Sequence, residues 1–146
     1  MPNAATIRPA RIDDAADVAR LATELGYPSS EIDIRTRIER LLQSDSYFLV
    51  VAELDSVVVG WIAAERRLLL ESGERAEIVG LIVTEQARRS GTGQALVQVA
   101  EEWARRQGLI RMAVRSSVAR LESHPFYERL GYVRAKTQHA YTKQLG

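Results

Sequence analysis

Thr84-Glu85-Gln86-Ala87-Arg88-Arg89-Ser90-Gly91-Thr92-Gly93-Gln94 joins an apolar run to a long amphipathic stretch, and no other segment says as much about this chain. On its N-terminal side, Ala76-Glu77-Ile78-Val79-Gly80-Leu81-Ile82-Val83 is apolar on both faces, the pattern of a central strand covered on both sides. On its C-terminal side a helix is expected from Gly93 to Gln107. Leu96, Val99, Ala100, Trp103 and Ala104 form its apolar face and Gly108 its stop. Two glycines one residue apart at the mouth of that helix leave backbone N–H groups unshielded. With the positive end of the helix dipole, these suit a phosphate or pyrophosphate. Arg88 and Arg89 add charge within reach of the same anion.

By itself the glycine pair is equally the mark of a helix closed by a flexible turn. A dinucleotide fold would place a third glycine where Leu96 stands, and would place the motif in the first strand–helix turn. A nucleotide P-loop needs a Gly-Lys-Ser/Thr ending that is absent.

Outward from the loop the elements alternate. Thr6 to Ala10 reads as a short edge strand. The next helix is capped by Asp13 or Asp14 and stopped by Gly26, and a further one starts at Ser30, whose pairing with Asp33 resembles a capping box. Ile34, Ile38, Leu41 and Leu42 mark its apolar stripe. Tyr47 to Ala52 and Val57 to Ala64 are strands joined by a tight turn at Asp55-Ser56, and Ser72-Gly73-Glu74 turns the chain into the central strand. After the long helix come a strand at Ile110 to Val114, a short helix around Pro125 to Leu130, and two closing strands, Tyr132 to Arg134 and Ala140 to Thr142. The order β-αα-βββ-α-β-α-ββ describes a mixed α/β domain, one domain over residues 1–146.

Composition narrows the function. Twenty basic and nineteen acidic residues leave a formal charge of +1, so no nucleic-acid partner held by bulk charge is expected. Cysteine is absent, which removes thiolate metal sites and a cysteine nucleophile. The two histidines, His124 and His139, are too far apart for a helical metal pair, and no metal is expected. The longest apolar run, Val57 to Ala64, is far short of a membrane span, and the N-terminus reads as having no secretory leader. The expectation is a cytoplasmic protein with no membrane partner.

Arg88-Arg89-Ser90-Gly91-Thr92-Gly93 matches the [QR]-x-x-G-x-[GA] signature, and Phe126-Tyr127-Glu128-Arg129-Leu130-Gly131-Tyr132 resembles the F-Y-[EK]-x-x-G-[FY] segment, of the GNAT acetyltransferase superfamily. The two occur in the family's order, one long helix and one strand apart. The resemblance is carried by Tyr47 to about Val133; the first two helices match in layout more than in residues.

The resemblance implies the GNAT-like fold and an N-acetyltransferase that moves an acetyl group from acetyl-CoA to a primary amine in a ternary complex. Backbone amides of Arg88, Arg89, Ser90, Gly91, Thr92, Gly93 and Gln94 would bind the pyrophosphate. The backbone of Leu81, Ile82 and Val83 would hold the pantetheine and polarise the thioester carbonyl. Tyr127 sits where the family commonly places its general acid, and Glu77 at one of its usual positions for the base, with Glu65 in reserve. Many members have an asparagine after the fifth strand; here Arg115-Ser116-Ser117 stands in that region, and Ser117 is the shorter substitute. Walls of the acceptor pocket would come from Gly26 to Ser29 and from Lys136 to Gln138. The acceptor is left between an aminoglycoside-like small molecule and a peptide or protein amine. Two other readings stay open: a non-catalytic acyl-CoA-binding regulatory module, and a homodimer built on an exposed strand edge.

Overall fold

Runs of β-branched and aromatic residues broken by turn formers give a sheet here, and helices with one apolar stripe cover it. The computed structural model describes residues 4–116 and 122–146, with Arg89 in backbone only. Residues 1–114 and 115–146 each form a compact unit.

The first unit holds a mixed five-stranded sheet in the order β1 (Thr6–Pro9), β2 (Tyr47–Leu54), β3 (Val57–Leu69), β4 (Gly73–Val83), β5 (Met112–Val114). The first three pairings are antiparallel and the last is parallel. Helices α1 (Ala15–Glu24) and α2 (Glu31–Leu42) precede β2, and α3 (Thr92–Arg106) connects β4 to β5. Asp55 and Ser56 take positive φ in the β2–β3 turn, as a tight hairpin requires.

Side chains on one face of the sheet, among them Val51, Trp61 and Ile82, pack with Val18, Leu21 and Ala22 of α1. The other face meets α3: Phe48 stacks on Trp103 at 5.2 Å, and Leu96 lies against Gly60. Leu21, Ile62, Leu96 and Val51 are fully buried, each worth roughly 1.5–3 kcal/mol. On α3 the buried valine is Val97, while Val99, expected on the apolar face, is half-buried.

Several expectations change in detail. Ser30 caps α2 as expected, its hydroxyl accepting from the Asp33 N–H at 3.1 Å. Asp14 does not cap forward. A 3-10 turn at Ile12–Asp14 precedes α1, and the Asp14 carboxylate reaches back to the Arg11 N–H at 2.7 Å and to the Arg8 guanidinium at 2.8 and 2.9 Å. Strands β3 and β4 extend beyond Ala64 and begin before Ala76, because charged pairs bridge their ends, including Arg66–Glu74 at 2.8 Å. β5 is shorter than read, and Ile110 lies exposed before it.

In the second unit, α4 (Ser123–Arg129) carries Pro125 in its first turn, where a missing N–H costs nothing. Gly131, at φ 93°, ends it. The two closing strands are not formed: residues 132–146 have no regular structure, and Val133, Tyr141 and Leu145 are exposed. β-propensity is a preference for a pleated, half-buried surface, so strand-like composition does not form a strand by itself.

Candidate active site

β5 pairs with β4 only from Ala76 to Ile78. Just beyond, both Ile78 and Val79 oppose Ala64 of β3, a β-bulge with Val79 as the extra residue. From Val79 to Val83, β4 therefore has β3 on one edge and, among the described residues, no strand on the other. An unpaired edge is a row of hydrogen-bonding groups open to an extended partner.

The register says which groups those are. The Thr84 N–H donates to the Val59 carbonyl at 2.8 Å, one step past the Gly60–Val83 pair. Antiparallel bonding alternates, so Ile82 exchanges its bonds with Trp61, while Leu81 and Val83 turn N–H and C=O toward the free edge. Of the three residues expected along a pantetheine arm, Ile82 is thus committed to β3 through its backbone. Val83 is partly engaged too, because its carbonyl accepts from Arg88 Nε at 3.2 Å, tying the following loop to the strand.

That loop is a 3-10 turn, Glu85–Ser90, ended by Gly91 in the left-handed region at φ 82°. Gly91 is also the residue before α3, and it has no side chain with which to cap it. The first helical bond runs from the Ala95 N–H to the Gly91 carbonyl, at 3.0 Å, so the N–H groups of Thr92, Gly93 and Gln94 have no acceptor within the helix. The loop's hydroxyls do not cap them: Ser90 Oγ donates to the Ala87 carbonyl at 2.6 Å and lies 2.8 Å from Thr92 Oγ1. No acidic residue occupies the first turn of α3. Among the described residues, then, these amides are uncapped at the positive end of a four-turn helix with no acid in its first turn, an arrangement that suits an anion. The buried Thr84 hydroxyl beside this loop has no partner among the described residues.

Glu77 is 5% exposed, on the face that carries Trp61 and Ile82. Both its oxygens are engaged: Oε1 with Arg75 Nη2 at 3.1 Å and Arg67 Nη1 at 3.4 Å, Oε2 with Arg67 Nη1 at 3.2 Å. Glu65, its cross-strand partner, lies 3.7 Å from Arg67 Nε. The sequence offers no periodicity that reveals this clamp, because its arginines fall in the segment read as the end of a strand and a turn.

Tyr127 belongs to the second unit. Its ring makes edge contacts with Phe126 at 5.1 Å and Tyr132 at 5.7 Å, and its carbonyl accepts from the N–H groups of Leu130 and Tyr132. Lys136 to Gln138 are exposed in the irregular C-terminal segment. In the first unit, the Gly26–Ser29 turn is fixed to α1 by the Ser29 N–H on Thr23 Oγ1 at 3.2 Å, and Tyr27 is half-exposed in it. Ser117 lies outside the described residues. Among the described residues no group of three or more His, Cys, Asp or Glu is placed to hold a metal ion, and no helix is long and apolar enough to cross a membrane.

The acetyltransferase (GNAT) family pattern matches residues 13–132. An uncharacterized N-acetyltransferase of Bacillus subtilis is 31% identical over 107 residues, which are 70% of this chain and 75% of that protein. The aminoglycoside N(6')-acetyltransferase type 1 of Serratia marcescens is 29% identical over 131 residues, covering 86% of this chain and 90% of its own length. In fold, an aminoglycoside 6'-N-acetyltransferase solved with the bisubstrate analogue CoA-S-monomethyl-acetylneamine superposes with a TM-score of 0.86 at 20% identity, over 98% of this chain and all of that one.

Proposed function

The chain belongs to the acetyltransferase (GNAT) family and is an N-acetyltransferase, and on that premise we propose that it moves acetyl from acetyl-CoA directly to a primary amine within a ternary complex. The observation that carries this reading is the uncapped start of α3 beside the unpaired edge of β4. The N–H groups of Thr92, Gly93 and Gln94 bind the pyrophosphate, with Arg88, Arg89, Ser90 and Gly91 shaping the approach. Leu81 offers its N–H and C=O, and Val83 its N–H, to the amide-bearing pantetheine arm, which pairs like an added strand. An N–H on this edge aimed at the thioester oxygen stabilises the oxyanion as the amine attacks.

The amine must lose a proton and the departing thiolate must gain one. Glu77 serves as the base, directly or through water, held in place by Arg67 and Arg75. Tyr127 serves as the acid, and Ser117 contacts the pantetheine. One catalytic domain over 1–146 fits the family match, which spans both units. The absence of cysteine agrees with direct transfer without a covalent enzyme intermediate.

Calorimetric titration of CoA into Gly93→Val tests the anion site. A valine side chain in the first turn shields the amides. Loss of one charge-assisted hydrogen bond, worth about 1.5–3 kcal/mol, weakens binding roughly ten- to hundredfold while the unfolding temperature stays near the parent's. Unchanged affinity removes the site from the start of α3.

A further inference from the structure

The face of β3 and β4 that carries Glu77 holds Glu65, Arg67, Arg75 and Glu77 in one chain of ion pairs. Two positive groups meet two negative ones, so the carboxylates that would draw in a polycation are already neutralised. Of the acids flanking the α1–α2 turn, Glu24 lies 3.4 Å from Arg20 and Glu31 lies 3.5 Å from Arg35. What this face has in surplus is donors. Each guanidinium carries five N–H groups, and among the described residues neither Arg67 Nη2 nor Arg75 Nη1 meets an acceptor. The two arginine side chains are 32% and 22% exposed, so their heads remain within reach of solvent.

We propose that Arg67 and Arg75 recognise an oxyanion on the acceptor, so that the substrate is a small amine carrying its own acidic group, as an amino acid does, rather than a polycationic aminoglycoside. The inference rests on Glu77 standing beside the attacking amine. If it does, the guanidinium groups gripping it, at 3.1–3.4 Å, are also the acceptor's neighbours. An ammonium-rich substrate would then face two cations whose neighbouring carboxylates, Glu65 and Glu77, are already paired. A carboxylate close to the reacting nitrogen would find guanidinium N–H donors, the charge-assisted partners that an oxyanion favours.

The test is an acceptor panel of free α-amino acids, their amides, aminoethyl phosphate and an aminoglycoside. Acetylation by thiol release and binding to the CoA complex by calorimetry are both measured on the full chain. The expected result is a kcat/KM for at least one amino acid about tenfold or more above its amide, carried by KM, with the aminoglycoside lowest. Arg75→Gln, and separately Arg67→Gln, should bring the acid-to-amide ratio toward one; if either variant is misfolded by its melting curve, the parent's panel decides. Aminoethyl phosphate turned over in place of the amino acids assigns the site to phosphate and supports oxyanion recognition. Amides or the aminoglycoside equal to or better than both acids overturn it while leaving the acetyltransferase reading intact. If CoA binds and no amine is acetylated, that catalytic reading fails. Recognition is then judged by binding alone, and lack of saturable binding by both acids overturns it.

Discussion

Gly80 lies one residue past the bulge, where β4 has, among the described residues, only β3 beside it, and the Trp61 ring covers it. A β-carbon at Gly80 would fall 2.7 Å from Trp61 Cζ3 and 2.9 Å from Cη2. Carbon atoms pack at about 3.5–4.0 Å, so alanine forces a displacement of roughly 0.7 Å or more. The ring cannot swing away freely, since it packs against the α1 core cluster and its Nε1 is buried. Overpacking of this kind costs about 1–3 kcal/mol, or roughly 2–12 °C in melting temperature for a chain of this size. Trp61→Phe alone should also destabilise, by leaving space. In the double variant, however, the smaller ring makes room for the methyl, so the two losses should fall short of their sum by about 1 kcal/mol or more. Thermal and urea unfolding of the four proteins measures this directly. Additive losses would mean that the ring and Gly80 are not in contact, and the packing account of this strand would be wrong.

Three further outcomes are expected. Tyr127→Phe keeps the aromatic contacts with Phe126 and Tyr132 yet removes the acid, so kcat should fall about 10²–10⁴-fold with acetyl-CoA binding retained; a loss below about threefold leaves the acid role without support. Glu77→Gln should lower kcat/KM most at acidic pH, where the amine is protonated, and a pH–rate profile that overlays the parent's makes Glu77 purely structural. Asp14 reports on acid stability. Burial pushes its carboxyl up, but bonds from Arg8 and the Arg11 amide outweigh this and hold it below the ordinary value. With the folded value depressed, its contribution is complete above the unfolded value of about 3.9 and is lost as pH falls through the folded one. Asp14→Asn should therefore cost stability at neutral pH and flatten the acid limb of the stability curve. Equal parent-to-variant differences at pH 7 and pH 2 would contradict that.

Features written locally in the sequence were legible. Ser30 caps α2, Asp55-Ser56 turns the hairpin, and Gly91 ends the loop, each because one residue's own chemistry suffices. Features that depend on a partner were not. The extensions of β3 and β4 look like charged loop until Arg66 is set beside Glu74 and Arg67 beside Glu77. Asp14 has the composition of a helix cap, yet the Arg8 guanidinium and the Arg11 amide claim its carboxylate instead. Tyr132 to Arg134 and Ala140 to Thr142 have strand composition, and composition alone supplies no neighbouring strand.

The bulge at Val79 links these observations. Side chains alternate along a strand, so in an unbroken β4 Glu77 would share a face with Val79 and Leu81. The extra residue reverses the alternation: Ala76 and Ile78 share the α3 face with Leu81 and Val83, while Glu77 shares the α1 face with Gly80 and Ile82. Without it, the register that places Ile82 in the α1 core would turn Glu77 into the apolar layer beneath α3, beside Leu96 and Trp103, away from both arginines. A single slipped residue inverts a whole strand segment, and here the inversion is built in. It keeps the carboxylate in its ion pairs and lets the apolar half of the strand bury on schedule. Among the described residues, the strand's second edge comes free at the same point. The candidate base and the candidate oxyanion donors therefore come from adjacent halves of one strand. Deleting Val79 should abolish folding or activity together, whereas Val79→Ala, which keeps the count, should retain both.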